Sequence, residues 1–183
     1  MVGLASVPAM TGRCRVFVAS SLDGFIAGPD DELDWLEFDG EITDTFTPFF
    51  AEVGAMLMGR RTFDVVSGFD VEWPYGDTPV LVATSRPLDP TIPTATAVGG
   101  DISDLVTEAM SVAAGRDVYL DGGELIRNAI DAGLVDEMII TMVPVVLGAG
   151  RPLFAGVGNR HGLRLTRSRE LGSGLVELVY EPT

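Results

Sequence analysis

The chain has 183 residues, of which 46% are apolar and 21% charged, and its formal net charge is −15. That length buries a full core as one domain, and so acidic a balance excludes nonspecific nucleic-acid binding, which needs cations to displace counterions. One cysteine (Cys14), one histidine (His161) and twelve basic residues that are all arginine exclude internal disulfides, thiolate or multi-histidine metal cages, zinc-deaminase chemistry and Schiff-base lysine catalysis.

Residues 1–12 are apolar but lack a basic start and a long apolar stretch, so they read as a flexible tail rather than a secretory leader. Residues 13–183 read as a single domain, expected in the cytoplasm because no window approaches the roughly 20 apolar residues of a membrane span. A strand is predicted from Arg15 to Ser20, followed by turns at Asp23-Gly24 and Gly28-Pro29-Asp30. Helical spacing over Ile42–Val53 lets Phe46, Phe49, Phe50 and Val53 share a face despite Pro48. Strands follow at Ala55–Met58, Pro79–Ala83 and Thr94–Val98, with a short helix from about Thr62. Asp101 or Ser103 caps a helix that runs to Ala114 and stops at Gly115. Asp117–Leu120 is a strand, and Glu124–Ala132 a helix ended by Gly133. Glu137–Leu147, Leu163–Leu171 and Leu175–Tyr180 are strands with no helix between them. A βα-alternating body closed by antiparallel strands predicts an α/β fold: a mixed, mostly parallel sheet with helices on both faces.

Three strand-to-loop junctions carry residues suited to anions. Gly59-Arg60-Arg61-Thr62 opens a helix, where free backbone N–H groups and arginines favour a phosphate, although exposed arginines are also ordinary loop residues. Thr84-Ser85-Arg86-Pro87 follows a strand directly and reads either as a phosphate turn or as a plain polar turn. In Asp121-Gly122-Gly123-Glu124 paired glycines let backbone approach a pyrophosphate, or simply form a tight turn; the spacing is not that of a GxGxxG loop.

Five ordered motifs then carry a resemblance: Ser21-Leu22-Asp23-Gly24-Phe25-Ile26-Ala27, Leu33-Asp34-Trp35-Leu36, Met58-Gly59-Arg60-Arg61-Thr62-Phe63, Tyr119-Leu120-Asp121-Gly122-Gly123, and Val143 to Phe154. Together they resemble the dihydrofolate-reductase-like superfamily, and most of all the reductase domain of bifunctional riboflavin-biosynthesis deaminase/reductases. The resemblance implies NADPH as cofactor and an activity like that of a 5-amino-6-(5-phosphoribosylamino)uracil reductase. It implies cofactor contacts from Gly59, Arg60, Arg61 and Thr62, from Thr84, Ser85 and Arg86, from Gly122, Gly123 and Glu124, and from Leu147 and Gly148. The basic residue that such reductases carry after Ser-Leu-Asp-Gly is Phe25 here, residues 30–41 are strongly acidic, and these 183 residues hold no deaminase motif, so a fused deaminase is not expected. The chain is therefore similar to the stand-alone members.

On the substrate side the candidates are Asp23 and Asp34 as catalytic or orienting carboxylates, with Leu22 and Trp35 against the substrate. Asp23 reads equally as a turn former and Trp35 as a core aromatic. Met56 and Met58 read as core, and His161 and Cys14 as incidental. No metal site is expected. The leading reading is hydride transfer from NADPH to a small pyrimidine- or pterin-like heterocycle; the alternatives are a true dihydrofolate reductase and a nucleotide-binding protein without turnover. The apolar run Met138–Leu147 is either a central strand or a face covered by a second subunit, and the resemblance tips that choice toward a homodimer.

Overall fold

The computed structural model describes residues 12–88 and 91–183, so all but the last residue of the expected tail lies outside the described residues. An eight-stranded sheet runs through the domain in the order β5-β4-β3-β6-β1-β7-β10-β9. Its parallel body comprises β1 (Cys14–Ser21), β3 (Val53–Gly59), β4 (Val80–Ala83), β5 (Ala95–Val98), β6 (Asp117–Asp121) and β7 (Glu137–Val143). The antiparallel close comprises β9 (Leu163–Gly172) and β10 (Leu175–Pro182), with β10 paired between β7 and β9. A small ribbon of β2 (Phe25–Ala27) and β8 (Arg151–Pro152), not foreseen in the sequence, lies outside the main sheet. The fold is the expected mixed α/β sheet.

Strand alternation splits the core into two sides. Leu57, Leu120 and Val16 face α3 (Ile102–Ala113) and α4 (Gly123–Asp131), which bury Leu105, Ala109, Ile126 and Ala129 against them. Met56, Met58 and Tyr119 face the other way, toward α1 (Phe46–Phe50) and α2 (Arg60–Ser67), which contribute Phe49 and Phe63. Met56 and Met58 are fully buried, as expected of core methionines. Cys14 is buried too, and burial pushes its thiol up to about 12, so it is no nucleophile.

Three boundaries differ from expectation for local reasons. The helix foreseen over Ile42–Val53 is only the five residues of α1, started by the Asp44 carboxylate, which accepts from the N–H groups of Phe46 and Thr47. Val53 keeps the same apolar face but belongs to β3, so side-chain spacing ran on while the backbone changed state. β7 stops at Val143 because Pro144 has no N–H to give the ladder. At α3, Asp101 and not Ser103 is the cap, accepting from Ser103 and Asp104 N–H, and Ala114 rather than Gly115 is the first left-handed residue after the helix.

The apolar run from Met138 is a central strand of the monomer, flanked by β1 and β10 and buried by this chain itself. It therefore gives no reason for a second subunit. His161, expected exposed and incidental, is half-buried and bonded to Asp131 at 2.9 Å. That contact and the N–H groups of Gly158 and Asn159 hold the Asp131 carboxyl below its ordinary range.

The N-terminal ends of β1, β6 and β7 are tied by one guanidinium. Arg15 is buried, donating to Glu137 at 2.6 Å, to Asp117 at 2.8 Å and to Glu52 at 2.5 Å, and it stacks 4.8 Å from the centre of the Phe49 ring. Removing the cation leaves Asp117 and Glu137 poorly hydrated with only the half-exposed Arg13 to pair them, a loss of about 3 kcal/mol. Arg15→Ala should therefore unfold at markedly lower urea than the parent; a change under about 1 kcal/mol would show that the network is merely a solvated surface cluster.

Candidate active site

The carboxyl ends of β3, β4 and β6 lie side by side, so the three junctions meet at one cleft of about 1240 Å³. Gly59 enters α2 with an extended backbone, and Arg60, Arg61 and Thr62 line the cleft behind it. Gly122 sits opposite with φ 108°, a conformation costly for any residue with a side chain. A Cβ there would come within 3.0 Å of Thr62 Oγ1 and 3.2 Å of the Gly59 nitrogen. The two junctions thus touch backbone to backbone, and Gly123, Glu124 and the unpaired N–H groups at the start of α4 face the same space. The Gly122–Gly123 bond is trans, since the described residues contain no cis peptide.

At the second junction Thr84 Oγ1 accepts from the Arg86 N–H at 3.1 Å, which tightens the turn. Ala83 and Arg86 line the cleft, while the intervening Thr84 and Ser85 do not. Arg60 joins the first junction to the second by donating to the carbonyls of Arg86 at 3.3 Å and Pro87 at 3.0 Å. Both guanidiniums also reach Asp64, Arg60 at 2.7 Å and Arg86 at 3.5 Å. Asp64 is 45% exposed, so these pairs are weak and exchange readily for a stronger anion. Arg61 and Arg151 share Asp31, at 3.3 and 2.9 Å, which draws the acidic loop to the mouth of the cleft.

The cleft's other end is walled by aromatic and aliphatic side chains on the α1–α2 side of the sheet, among them Phe17, Phe46, Tyr75 and Tyr119. At its floor stands Asp121, the last residue of β6, paired with Met58 across to β3. Burial pushes the Asp121 carboxyl up to about 6, against the opposing pull of the Gly122 N–H, while the Tyr119 hydroxyl donates its one proton to the Phe17 carbonyl at 2.9 Å. The same burial and the nearby Asp121 charge raise the phenols of Tyr75 and Tyr119. Among the described residues no arginine pairs with Asp121.

The carboxylates chosen from sequence do other work. Asp23 is exposed and clamps a turn: it accepts from Ser21 Oγ at 2.7 Å, Gly148 N–H at 2.7 Å and Leu147 N–H at 3.1 Å, which together hold its pKa down. The backbone donors of Leu147 and Gly148 are spent on that clamp, and neither residue lines the cleft. Leu22 is 65% exposed beside it. Asp34 is exposed in a short 3-10 turn, and Trp35 packs against Val143, Leu171 and Leu175 while donating to the Glu32 carbonyl. From that acidic segment Asp31, Leu33 and Leu36 line the cleft instead. The carboxylate at the cleft's floor that the sequence reading did not select is Asp121, and its signal was available: an acid ending a parallel strand immediately before a Gly-Gly turn.

The RibD C-terminal domain family matches residues 14–177. The uncharacterized protein YwjB of Bacillus subtilis is 34% identical over 173 residues, covering 93% of this chain and 98% of that one. The crystal structure of a putative riboflavin biosynthesis protein from Shewanella sp. PV-4 superposes with a TM-score of 0.85 at 32% identity, covering 93% of this chain and 99% of that one. Dihydrofolate reductase from Enterococcus faecalis, complexed with NADP(H), shares the fold at a TM-score of 0.60 and 16% identity, over 94% and 98% of the two chains.

Asp121 yields a pH prediction. Its folded pKa of about 6 lies above the unfolded value of about 3.9, so between those pH values the folded protein keeps a proton that the unfolded chain has lost. Stability then falls as pH rises through that window and stays lower above it. Asp121→Asn removes the penalty, so the variant's melting temperature relative to the parent should rise by roughly 2–6 °C from pH 4 to pH 7.5. An offset that is constant with pH would refute the buried-carboxyl account.

Proposed function

This chain belongs to the RibD C-terminal domain family, and on that footing we propose that it is an NADPH-dependent reductase of a small heterocyclic substrate, acting as a single reductase domain in the cytoplasm. The observation that carries the reading is the contact of Gly59 and Gly122, which joins two anion-favouring helix starts into one backbone cradle that any Cβ would fill. The cradle suits a dinucleotide pyrophosphate. Arg60 and Arg86, held together and facing only an exposed Asp64, suit the additional phosphate that distinguishes NADPH from NADH. Thr62 and Glu124 stand beside them as further contacts.

The bound dihydronicotinamide supplies the hydride. The protein's own contribution is position: the aromatic end of the cleft excludes water and holds a flat ring, and Asp121 accepts from its N–H or amino groups to fix the orientation. Asp121 takes over the orienting role that the sequence had assigned to Asp23 and Asp34. Thr84 and Ser85 keep a supporting role by shaping the turn that presents Arg86.

The reading is tested by following NADPH oxidation against dihydrofolate, pterins and 5-amino-6-(5-phosphoribosylamino)uracil, alongside calorimetric affinities for both cofactors. We expect turnover with at least one of these heterocycles and tighter binding of NADPH than NADH. Arg86→Ala should weaken NADPH about 10- to 100-fold and leave NADH nearly unchanged. Equal affinities of the parent for the two cofactors would overturn the assignment of these arginines, and NADPH binding with no turnover of any of the heterocycles would leave a nucleotide-binding protein.

A homodimer is also proposed, supported now by the free edge of the sheet rather than by the run at Met138. Among the described residues β9 pairs only with β10, and it exposes Leu163 and Leu165 opposite Pro182 and Tyr180. Sedimentation at micromolar concentration should give twice the single-chain mass; a clean single-chain species refutes the pairing.

A further inference from the structure

The cleft is electrically divided. Among the described residues five arginines line it, namely Arg60, Arg61, Arg86, Arg127 and Arg151; Arg60, Arg86 and Arg127 are engaged near the glycine cradle, and Arg61 and Arg151 at the cleft's mouth. Arg60 and Arg86 meet Asp64, Arg61 and Arg151 meet Asp31, and Arg127 donates to the Pro152 carbonyl at 2.7 Å. The aromatic wall contributes no cation. Among the described residues its one charged side chain is Asp121, and the polar groups that share its field are the hydroxyls of Tyr75 and Tyr119. The Tyr119 hydroxyl is itself turned to the Phe17 carbonyl, which it reaches at 2.9 Å.

A phosphate ester in that end would meet a carboxylate and apolar rings. It would lose its hydration with no guanidinium or ammonium to replace it, and an uncompensated dianion near a like charge is among the costliest groups to bury. A flat ring with amino or N–H donors has the opposite balance, because the carboxylate accepts its donors and the rings cover its faces. The first lip of the cleft reinforces the selection, since the loop that carries Leu33 and Leu36 over the opening is strongly acidic and is fastened there through Asp31.

We infer that the substrate of this site is a phosphate-free heterocycle, neutral or cationic, whose amino or ring N–H groups are received by Asp121. The inference rests on the reductase reading and narrows it. A phosphoribosylated pyrimidine, the substrate class that the family resemblance implies, is disfavoured by its phosphate and not by its ring.

Calorimetry on the full chain saturated with NADP+ tests this with three probes: 5-amino-6-(5-phosphoribosylamino)uracil, the same compound with its phosphate removed, and 2,4-diaminopyrimidine. The dephosphorylated compound should bind at least tenfold more tightly than its phosphate ester. Asp121→Asn should weaken 2,4-diaminopyrimidine at least tenfold while NADP+ affinity holds, which separates a lost substrate contact from a damaged fold. Equal or tighter binding of the phosphate ester overturns the inference and leaves the reductase reading standing. Binding of NADP+ with none of the three probes bound also overturns the inference, and the turnover assay then decides the reductase reading. If NADP+ itself fails to bind, the reductase reading falls, and this inference falls with it.

Discussion

The site depends on one close approach. Gly59 ends β3 and Gly122 follows β6 directly beside it, and Gly122 has no room for a side chain against Thr62 and the Gly59 backbone. Because nothing intervenes, the starts of α2 and α4 open into the same space, and their free N–H groups act on one ligand rather than two. The sheet order sets this up: β6 lies directly beside β3, although more than fifty residues of chain separate them. Non-local strand pairing creates the cradle, and glycine keeps it open.

Charge is distributed along the strands to match. At the amino ends of β1, β6 and β7 the charged groups satisfy one another, with Arg15 at the centre of Glu52, Asp117 and Glu137. That cluster is a fastening and has nothing left for a ligand. At the carboxyl ends the arginines are held by exposed carboxylates or by carbonyls, a looser arrangement that an incoming phosphate can displace. The same residue types therefore do opposite jobs at opposite ends of the same strands. Glu177 on β10 is also held by arginines: burial works against its charge, but the hydrogen bond from Arg169 and the nearby Arg167 guanidinium keep its carboxyl below the ordinary range.

Much of this was legible in the sequence. Apolar runs located the parallel strands to within a residue or two, except that β7 ends four residues before its expected close at Leu147, and each of the three anion-friendly junctions sits at the carboxyl end of a parallel strand. What local sequence did not reveal shares one cause. Asp23 stands in a motif that the eye assigns to substrate, yet its oxygens are consumed by backbone N–H groups more than a hundred residues away in the chain. Trp35 likewise answers to a hydrophobic cluster built by strand ends that no local pattern brings together. Asp121 was visible beside its glycines but looked like part of the turn. Only the sheet reveals that strand alternation directs it to the face of Tyr119, and that α1 and the segment after α2 close an apolar wall around it.

The two tryptophans of this chain sit in separate surroundings. Trp73 lies 5.2 Å from Tyr75 and 5.8 Å from Phe63, ring to ring, and Tyr75 is part of the cleft's wall. Trp35 packs at the far side of the acidic loop against Val143 and Leu175. One indole thus shares an aromatic stack with whatever fills the cleft, while the other reads the packing of the loop. Their fluorescence gives the molecule two built-in optical channels, and replacing Trp35 with phenylalanine isolates the one that looks into the site.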